Sequence, residues 1–460
     1  MKARSRGGAS PRVSEKLQIR RLSCGILAVA APTKGTSFVS VAASLPSGSR
    51  SERKDEQGLA HFTEHMLFRG SEGFPTTHAL NHALEFLGDG LQGGTSREFS
   101  IYSTEAPAEN LAPLLEVLSV FFQRPRFSDI EKEKGIVLEE IREEIDERGR
   151  EILSDNLTRF ALLGDHPLAH PILGRRRDLL RVNQQRLQSF YERHYQADRI
   201  VVVAAGAVEP ERFFELLEYS WSMKLPVRSA QKRAPVKHLG FARLGGAPNV
   251  RAAPGVLANR FHFRRQAGSQ IEVSITFLAK GDRDGGRLSR IALERVLDDG
   301  LASRLQRRLC ERRGLLYDVS LSLDSCTDVS FFDLEFRIEP PGLLKVISEV
   351  LTEFRLLSEV LVDGTELDRV KGRMRREVQS MFETPRYLAA RLAETLVLEL
   401  PLPLSQAEWM GRIDEVTAQS VRKEARKVFR KGVLAGVLEG PLTSTLRKKV
   451  LNEIERGLPD

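Results

Sequence analysis

Cysteine is scarce in this chain: three residues among 460, Cys24, Cys310 and Cys326, at unrelated spacings. An odd count so placed gives no disulfide framework and no CxxC metal knuckle. It makes a reducing compartment the expected setting, with the cytoplasm first and the mitochondrial matrix as the alternative. Long apolar runs are also missing. No window approaches the 18 or more residues of a membrane-spanning helix, so no membrane span is expected. The longest apolar run near the start, Gly25 to Pro32, is too short and poorly placed for a secretory signal. Aromatic residues make up only 7% of the chain, but they are spread so that each half can bury a core.

A strong charge of one sign is lacking as well, once its position is considered. The formal charge is +8. Residues 1–21 alone carry seven basic side chains (Lys2, Arg4, Arg6, Arg12, Lys16, Arg20 and Arg21) against one acid, Glu15. The body is therefore nearly balanced, and no nucleic-acid partner is expected. Residues 1–16 read as a disordered basic tail. Residues 225–256 are rich in Pro, Gly, Ala, Arg and Lys with little periodicity, and read as a linker. It separates a half at 17–224 from a second half at 257–460.

Within the first half, Phe38–Leu45 has the pattern of a strand, and Leu59–Phe68 has helical spacing ending at Arg69-Gly70. Thr76 or Thr77 caps a helix running to Leu87, and Thr95–Ser103 reads as a strand. Helical stretches follow at 108–122 and 128–163, then a buried strand at Val201–Gly206 and a helix at Pro210–Trp221. After the linker a similar order returns: a strand at Ile271–Leu278, a helix at Leu288–Leu297, and a long helix from Thr365. Laying Gly70 on Gly300 puts Glu64 on Glu294 but His61 on Ile291 and His65 on Arg295. Laying Lys134-Gly135 on Lys371-Gly372 puts Glu140 on Glu377. One unit used twice, with metal ligands in one copy only, accounts for both matches.

The chemistry concentrates in His61-Phe62-Thr63-Glu64-His65. Residues four apart on a helix share a face, so both imidazoles can reach one ion, with Glu64 beside it and able to take a proton from water. Zinc bound this way requires a third protein ligand and an open position. The acid-rich stretch 130–150 supplies candidates. Its apolar stripe, Val137, Leu138, Ile141 and Ile145, favours Glu140, with Glu133 or Glu144 in support, over the more outward Glu139 and Glu143, but periodicity alone does not choose among them. A second pair, His78 and His82 with Glu85 nearby, has no base between its members. His166 and His170 fit a structural loop.

Gly58–Gly70 resembles the signature of the pitrilysin, insulin-degrading-enzyme and mitochondrial-processing-peptidase family, whose metal motif is the inverse of HExxH. Residues 130–141 are similar to its second motif. The resemblance implies Glu140 as third ligand, Glu133 as its supporting acid, and one zinc per chain. It also implies a substrate-pairing strand at Gln92, Gly93 and Thr95, where the family tends to carry Asn-Ala and this chain has Gln92-Gly93. In the second half, Ser303–Leu305 and Arg313–Tyr317 match a further block. Tyr317 stands at the family's tyrosine, which serves the substrate carbonyl, while Cys310 replaces the accompanying arginine.

The implied fold is α+β, with two homologous half-domains forming a clam-shell. Each is an antiparallel sheet with helices packed on one face. The implied activity is zinc-dependent endopeptidase action on extended or unfolded peptides, with Glu64 as general base. A homodimer, or a heterodimer with a related chain, follows from the resemblance. The alternative is a non-catalytic partner subunit of a heteromeric processing peptidase.

Overall fold

The computed structural model describes residues 17–221 and 256–459. The expected tail 1–16 and nearly all of the expected linker 225–256 lie outside the described residues. Contacts group the chain into two compact units. Among the described residues, the first runs to Leu138 and adds Ile172–Trp221 and Arg376–Trp409. The second holds Glu139–Pro171, Val256–Arg375 and Met410–Pro459.

The first unit is built on six strands: β1 (Gln18–Arg21), β2 (Leu27–Pro32), β3 (Phe38–Leu45), β4 (Gln92–Thr95), β5 (Ser100–Pro107) and β6 (Val201–Gly206), in the order β1-β2-β6-β3-β5-β4. All neighbours are antiparallel except β2 and β6, so the sheet is mixed. The single strand read at Thr95–Ser103 is in fact a hairpin. Ser96 Oγ accepts from the amides of Glu98 and Phe99 and turns the chain between β4 and β5. Helices α1 (Leu59–Leu67), α2 (Thr77–Leu87, capped by Thr76) and α3 (Leu111–Gln123) follow the strands. The longer helices α4 (Ile130–Glu143), α5 (Ser154–Leu163), α6 (Gln184–His194) and α7 (Pro210–Trp221) follow in the first half of the sequence, with a single helical turn at Arg176–Leu179 between α5 and α6.

The long helix read over 128–163 breaks at Glu143. Asp146 Oδ1 accepts from the amides of Arg148 and Arg150, and Gly149 turns with φ +71°, so a tight local turn outcompetes helix continuation.

The second unit repeats the plan with five strands: β7 (Phe261–Arg265), β8 (Ile271–Lys280), β9 (Val319–Ser325), β10 (Val329–Ile338) and β11 (Leu434–Gly440). Their order is β7-β11-β8-β10-β9, with only β7 and β11 parallel. The longer helices of the second half of the sequence are α8 (Arg287–Leu297), α9 (Leu343–Glu359), α10 (Gly364–Glu383), α11 (Pro385–Val397), α12 (Gln406–Asp414), α13 (Ala418–Val428) and α14 (Ser444–Gly457), of which α11 lies wholly in the first unit. The boundary between units cuts α4, α10 and α12, each a continuous helix.

Among the described residues, both sheets carry a helix layer on one face and a single visiting helix on the other. In the first sheet, Tyr102 of β5 packs edge-on against Phe121 and Phe122 of α3. Glu105, an odd number of residues along the same strand, faces the other way and lies 3.9 Å from Arg386 of α11. In the second sheet, Phe277 of β8 meets Phe354 of α9. The adjacent Thr276 faces away and its hydroxyl bonds Thr158 of α5 at 2.8 Å. Arg159 of α5 pairs with Asp324 at 2.6 Å and Asp333 at 3.5 Å, and stacks over Phe331. Thus α5, from the first half of the sequence, serves the second sheet, and α11, from the second half, serves the first.

Candidate metal centre

Helix α1 displays the candidate ligands, and the structure fixes both of its ends. At its start, the buried carboxylate of Glu52 accepts from the amides of Gly58 at 3.0 Å and Ala60 at 2.8 Å, satisfying donors that a helix cannot pair internally. Burial pushes the Glu52 carboxyl well above its ordinary range, against the lowering effect of those two amides. At its end, Gly70 reverses the chain with φ +111°, which an L side chain rarely adopts. Between these anchors Phe62, Met66 and Leu67 are fully buried, so the helix cannot rotate without exposing them.

On the remaining face, His61 and His65 have ring centroids 4.5 Å apart. Burial, and then the neighbouring His65, lower the His61 pKa to about 3, which keeps this imidazole neutral at physiological pH. Helix α4 brings Glu140 to the pair. The ligand atoms of His61, His65 and Glu140 all lie within 4.8 Å of one another, the one such group of three or more among the described residues. Two imidazole nitrogens and one carboxylate oxygen form a donor set that suits zinc with a position left for water. Glu139 and Glu143 are exposed, and Glu144 falls just past the end of α4.

Glu133, two turns before Glu140 on α4, is buried and meets His65 Nδ1 through Oε1 at 2.8 Å. Its Oε2 accepts from the Arg69 guanidinium. Glu64 is buried, and its Oε2 accepts from the Thr95 hydroxyl at 2.5 Å. Thr95 Oγ1 also lies 3.3 Å from Ser100 Oγ, which donates to the Ser47 carbonyl at 2.5 Å. Gly93 passes so close that a Cβ there would lie 2.8 Å from Glu64 Oε1 and 2.9 Å from the Phe68 ring. Strand β4, holding Gln92, Gly93 and Thr95, is the edge of its sheet, with Gln92 and Gly93 exposed.

The other histidine candidates are not part of this ligand group. His78 and His82 stack on α2 with centroids 6.2 Å apart and assemble no third ligand. His166 caps a 3-10 turn by accepting from the Leu168 amide, and His170 lies 3.5 Å from Asp165. Tyr317 belongs to the second unit, is fully exposed, and lines a pocket of about 890 Å³ with Glu272, Ser274, Glu335 and Arg337. Burial, then Asp318 and Asp298, raise the Cys310 thiol pKa, which disfavours a reactive thiolate.

Two residues of this neighbourhood carry no local sequence signal. Glu52 sits in a charged loop, and only the fold brings it to the start of α1. Arg69 reads in sequence as the end of a helix, not as the partner of an acid 64 positions later.

The chain matches the family model described as insulinase, peptidase family M16, over residues 28–176, and the one described as peptidase M16 inactive domain over residues 181–374. It belongs to peptidase family M16. Over 383 residues it is 28% identical to a Mycobacterium tuberculosis protein named as an uncharacterized zinc protease, covering 82% of this chain and 83% of that one. It is 24% identical over 408 residues to the mitochondrial-processing peptidase subunit beta of Caenorhabditis elegans, covering 87% of this chain and 85% of that one. Among solved structures, a protease from Helicobacter pylori matches with TM-score 0.80 at 19% identity, over 93% of this chain and 99% of that one. A peptidase M16 inactive domain from Pseudomonas fluorescens matches with TM-score 0.76 at 17% identity, over 93% and 98%. These likenesses establish the two-half fold. No helix among the described residues is long and apolar enough to cross a membrane.

Proposed function

We propose that this chain is a zinc-dependent endopeptidase acting on extended peptides. His61, His65 and Glu140 would hold one zinc ion, and Glu64 would be the general base. The observation that carries this reading is the convergence of those three ligands within 4.8 Å, with Glu64 on the same helix turn and its carboxylate anchored by Thr95. Zinc bound in such a site lowers the pKa of its water from 15.7 to about 7.

The remaining work belongs to the chain's own groups. Glu64 takes the proton of the attacking water and returns it to the leaving amine, a role typically worth about 10²–10⁴-fold. The Thr95 hydroxyl holds one Glu64 oxygen and so restricts the carboxylate to one orientation. The exposed edge of β4 at Gln92-Gly93 offers unpaired backbone groups to an extended peptide, which selects unfolded segments over folded proteins. The family resemblance adds Tyr317 as a donor to the developing oxyanion, a role that Tyr317→Phe tests separately. Assembly as a homodimer or with a related chain is part of the same proposal.

The decisive experiment uses an unstructured peptide and metal analysis together. Wild-type protein is expected to bind about one zinc per chain and cleave the peptide. Glu64→Gln is expected to keep the zinc and lose cleavage by at least about 10²-fold. Cleavage surviving in Glu64→Gln at the wild-type rate would overturn the assignment.

A further inference from the structure

We propose that Arg69 is a positioning residue of the metal site, setting the tautomer of His65 and the spacing of the two ligand-bearing helices through Glu133. The inference rests on the reading that His61, His65 and Glu140 hold zinc.

The argument starts from the chain path. Helix α1 ends at Leu67 with Phe68 as its C-cap, and the Arg69 amide still bonds the Met66 carbonyl at 3.2 Å, so Arg69 continues the rigid end of α1. Its carbonyl accepts from Ser128 Oγ at 3.1 Å, two residues before α4 begins. Its guanidinium reaches Glu133, in the first turn of α4, through both Nε and Nη2 to one carboxylate oxygen. The other oxygen of Glu133 meets His65 Nδ1 at 2.8 Å. Arg69, Glu133 and His65 therefore form a closed link from the end of α1 to the start of α4 and back to the ligand turn. Glu140 lies seven residues beyond Glu133 on the same helix face.

Two physical consequences follow. The Glu133 side chain is only 5% exposed, and a carboxylate so buried requires a compensating charge; the Arg69 side chain, 16% exposed, supplies it. With Glu133 held in place, His65 presents Nδ1–H to the carboxylate, and Nε2 is the nitrogen turned to the metal. A lysine at 69 would offer charge without the planar fork that engages Glu133 through two nitrogens.

The second unit makes the same helix-to-helix link without metal chemistry. There Asp299, just past α8, lies 3.7 Å from Arg295 of α8 and 2.8 Å from Arg373 of α10. Arg295 stands where the overlay places His65. Cutting that link provides a control for purely structural loosening.

The test measures zinc affinity by chelator competition on metal-stripped full-length protein, beside its thermal unfolding. Arg69→Met is expected to weaken zinc binding about 10–100-fold, the range typical of lost outer-shell partners. Arg69→Lys is expected to fall between wild type and Arg69→Met, and it serves as the test variant should Arg69→Met fail to fold. Asp299→Asn is expected to lower the apo unfolding temperature and leave zinc affinity at the wild-type value. Wild-type affinity in Arg69→Met, or in Arg69→Lys where only that variant folds, would overturn the proposal. So would an equal loss of affinity in Asp299→Asn. Wild-type protein that binds no zinc would instead sink the underlying reading of the site.

Discussion

The two sheets pose a natural comparison, because the same succession of elements gathers a His-His-Glu group beside one and, among the described residues, no such group beside the other. Strand β3 leads to α1, the β4–β5 hairpin, then α3 and α4. Strand β8 leads to α8, the β9–β10 hairpin, then α9 and α10. Thr95 Oγ1 and Ser100 Oγ lie 3.3 Å apart across the first hairpin; Ser325 Oγ and Ser330 Oγ, each 230 positions later, lie 3.1 Å apart across the second. The framework has been kept in both copies. What differs is the side chains on its helices, since the sequence overlay puts Ile291 and Arg295 on His61 and His65, and Arg295 and Arg373 pair there with Asp299.

The largest expected effect contrasts the acids that the overlay makes equivalent. Glu140→Gln should lose zinc by more than the roughly 10–100-fold of an outer-shell change, whereas Glu377→Gln should bind zinc as the wild type does. Equal metal content in both variants would break the asymmetry between the halves.

A smaller effect is expected at the paired hairpins. Thr95→Val removes a hydroxyl bond to a carboxylate, a contact worth about 1.5–3 kcal/mol. We expect kcat for peptide cleavage to fall about 10- to 100-fold with zinc retained, Thr95→Ser to recover most of it, and Ser325→Ala to leave it unchanged. A rise in KM with kcat intact would instead assign Thr95 to substrate binding.

The smallest effect concerns stability and pH. Helices α6 and α13 occupy equivalent places, and the buried His194 that closes α6 corresponds to the buried Val428 that closes α13. Burial, then Arg199, Arg193 and Arg53, lower the His194 pKa well below its ordinary value. The native state therefore refuses a proton that the unfolded chain accepts below about pH 6.5, so stability is lost as pH falls from there. The loss reaches up to about 1.4 kcal/mol per pH unit. In urea unfolding of metal-free protein at pH 7.5 and 5.5, His194→Val should show the shallower decline. His61 contributes equally to both proteins, so the difference reports His194 alone; parallel slopes would reject the assignment.

Much of this was legible beforehand, for physical reasons visible at particular residues. The spacing of His61 and His65 projects onto one helix face without any tertiary information. The apolar stripe through Val137 and Ile141 favoured Glu140 over the outward Glu139 without choosing it from Glu133 and Glu144. Other features escape a reading by hydrophobic period. The turn at Asp146–Gly149 is held by a side chain accepting two amides, which hydrophobic period alone does not register, so α4 and α5 read as one helix. The Thr95 hydroxyl could serve a substrate or a base equally well until the hairpin places it against Glu64.

The sequence by itself determined the two-half α+β plan, the pairing of His61 with His65 on one helix face and the family, because these depend on periods of two and 3.6 and on residue types at fixed short spacings; it offered Glu140 only as one of several acids on α4. Tertiary structure alone decided which sheet each visiting helix serves, that Glu52 and Arg69 secure the two ends of α1, and that Thr95 addresses Glu64. The visiting-helix, Arg69 and Thr95 contacts join residues tens to hundreds of positions apart, while the Glu52 contacts span six and eight positions. Their selection depends on burial and charge compensation, which exist only after the chain has folded.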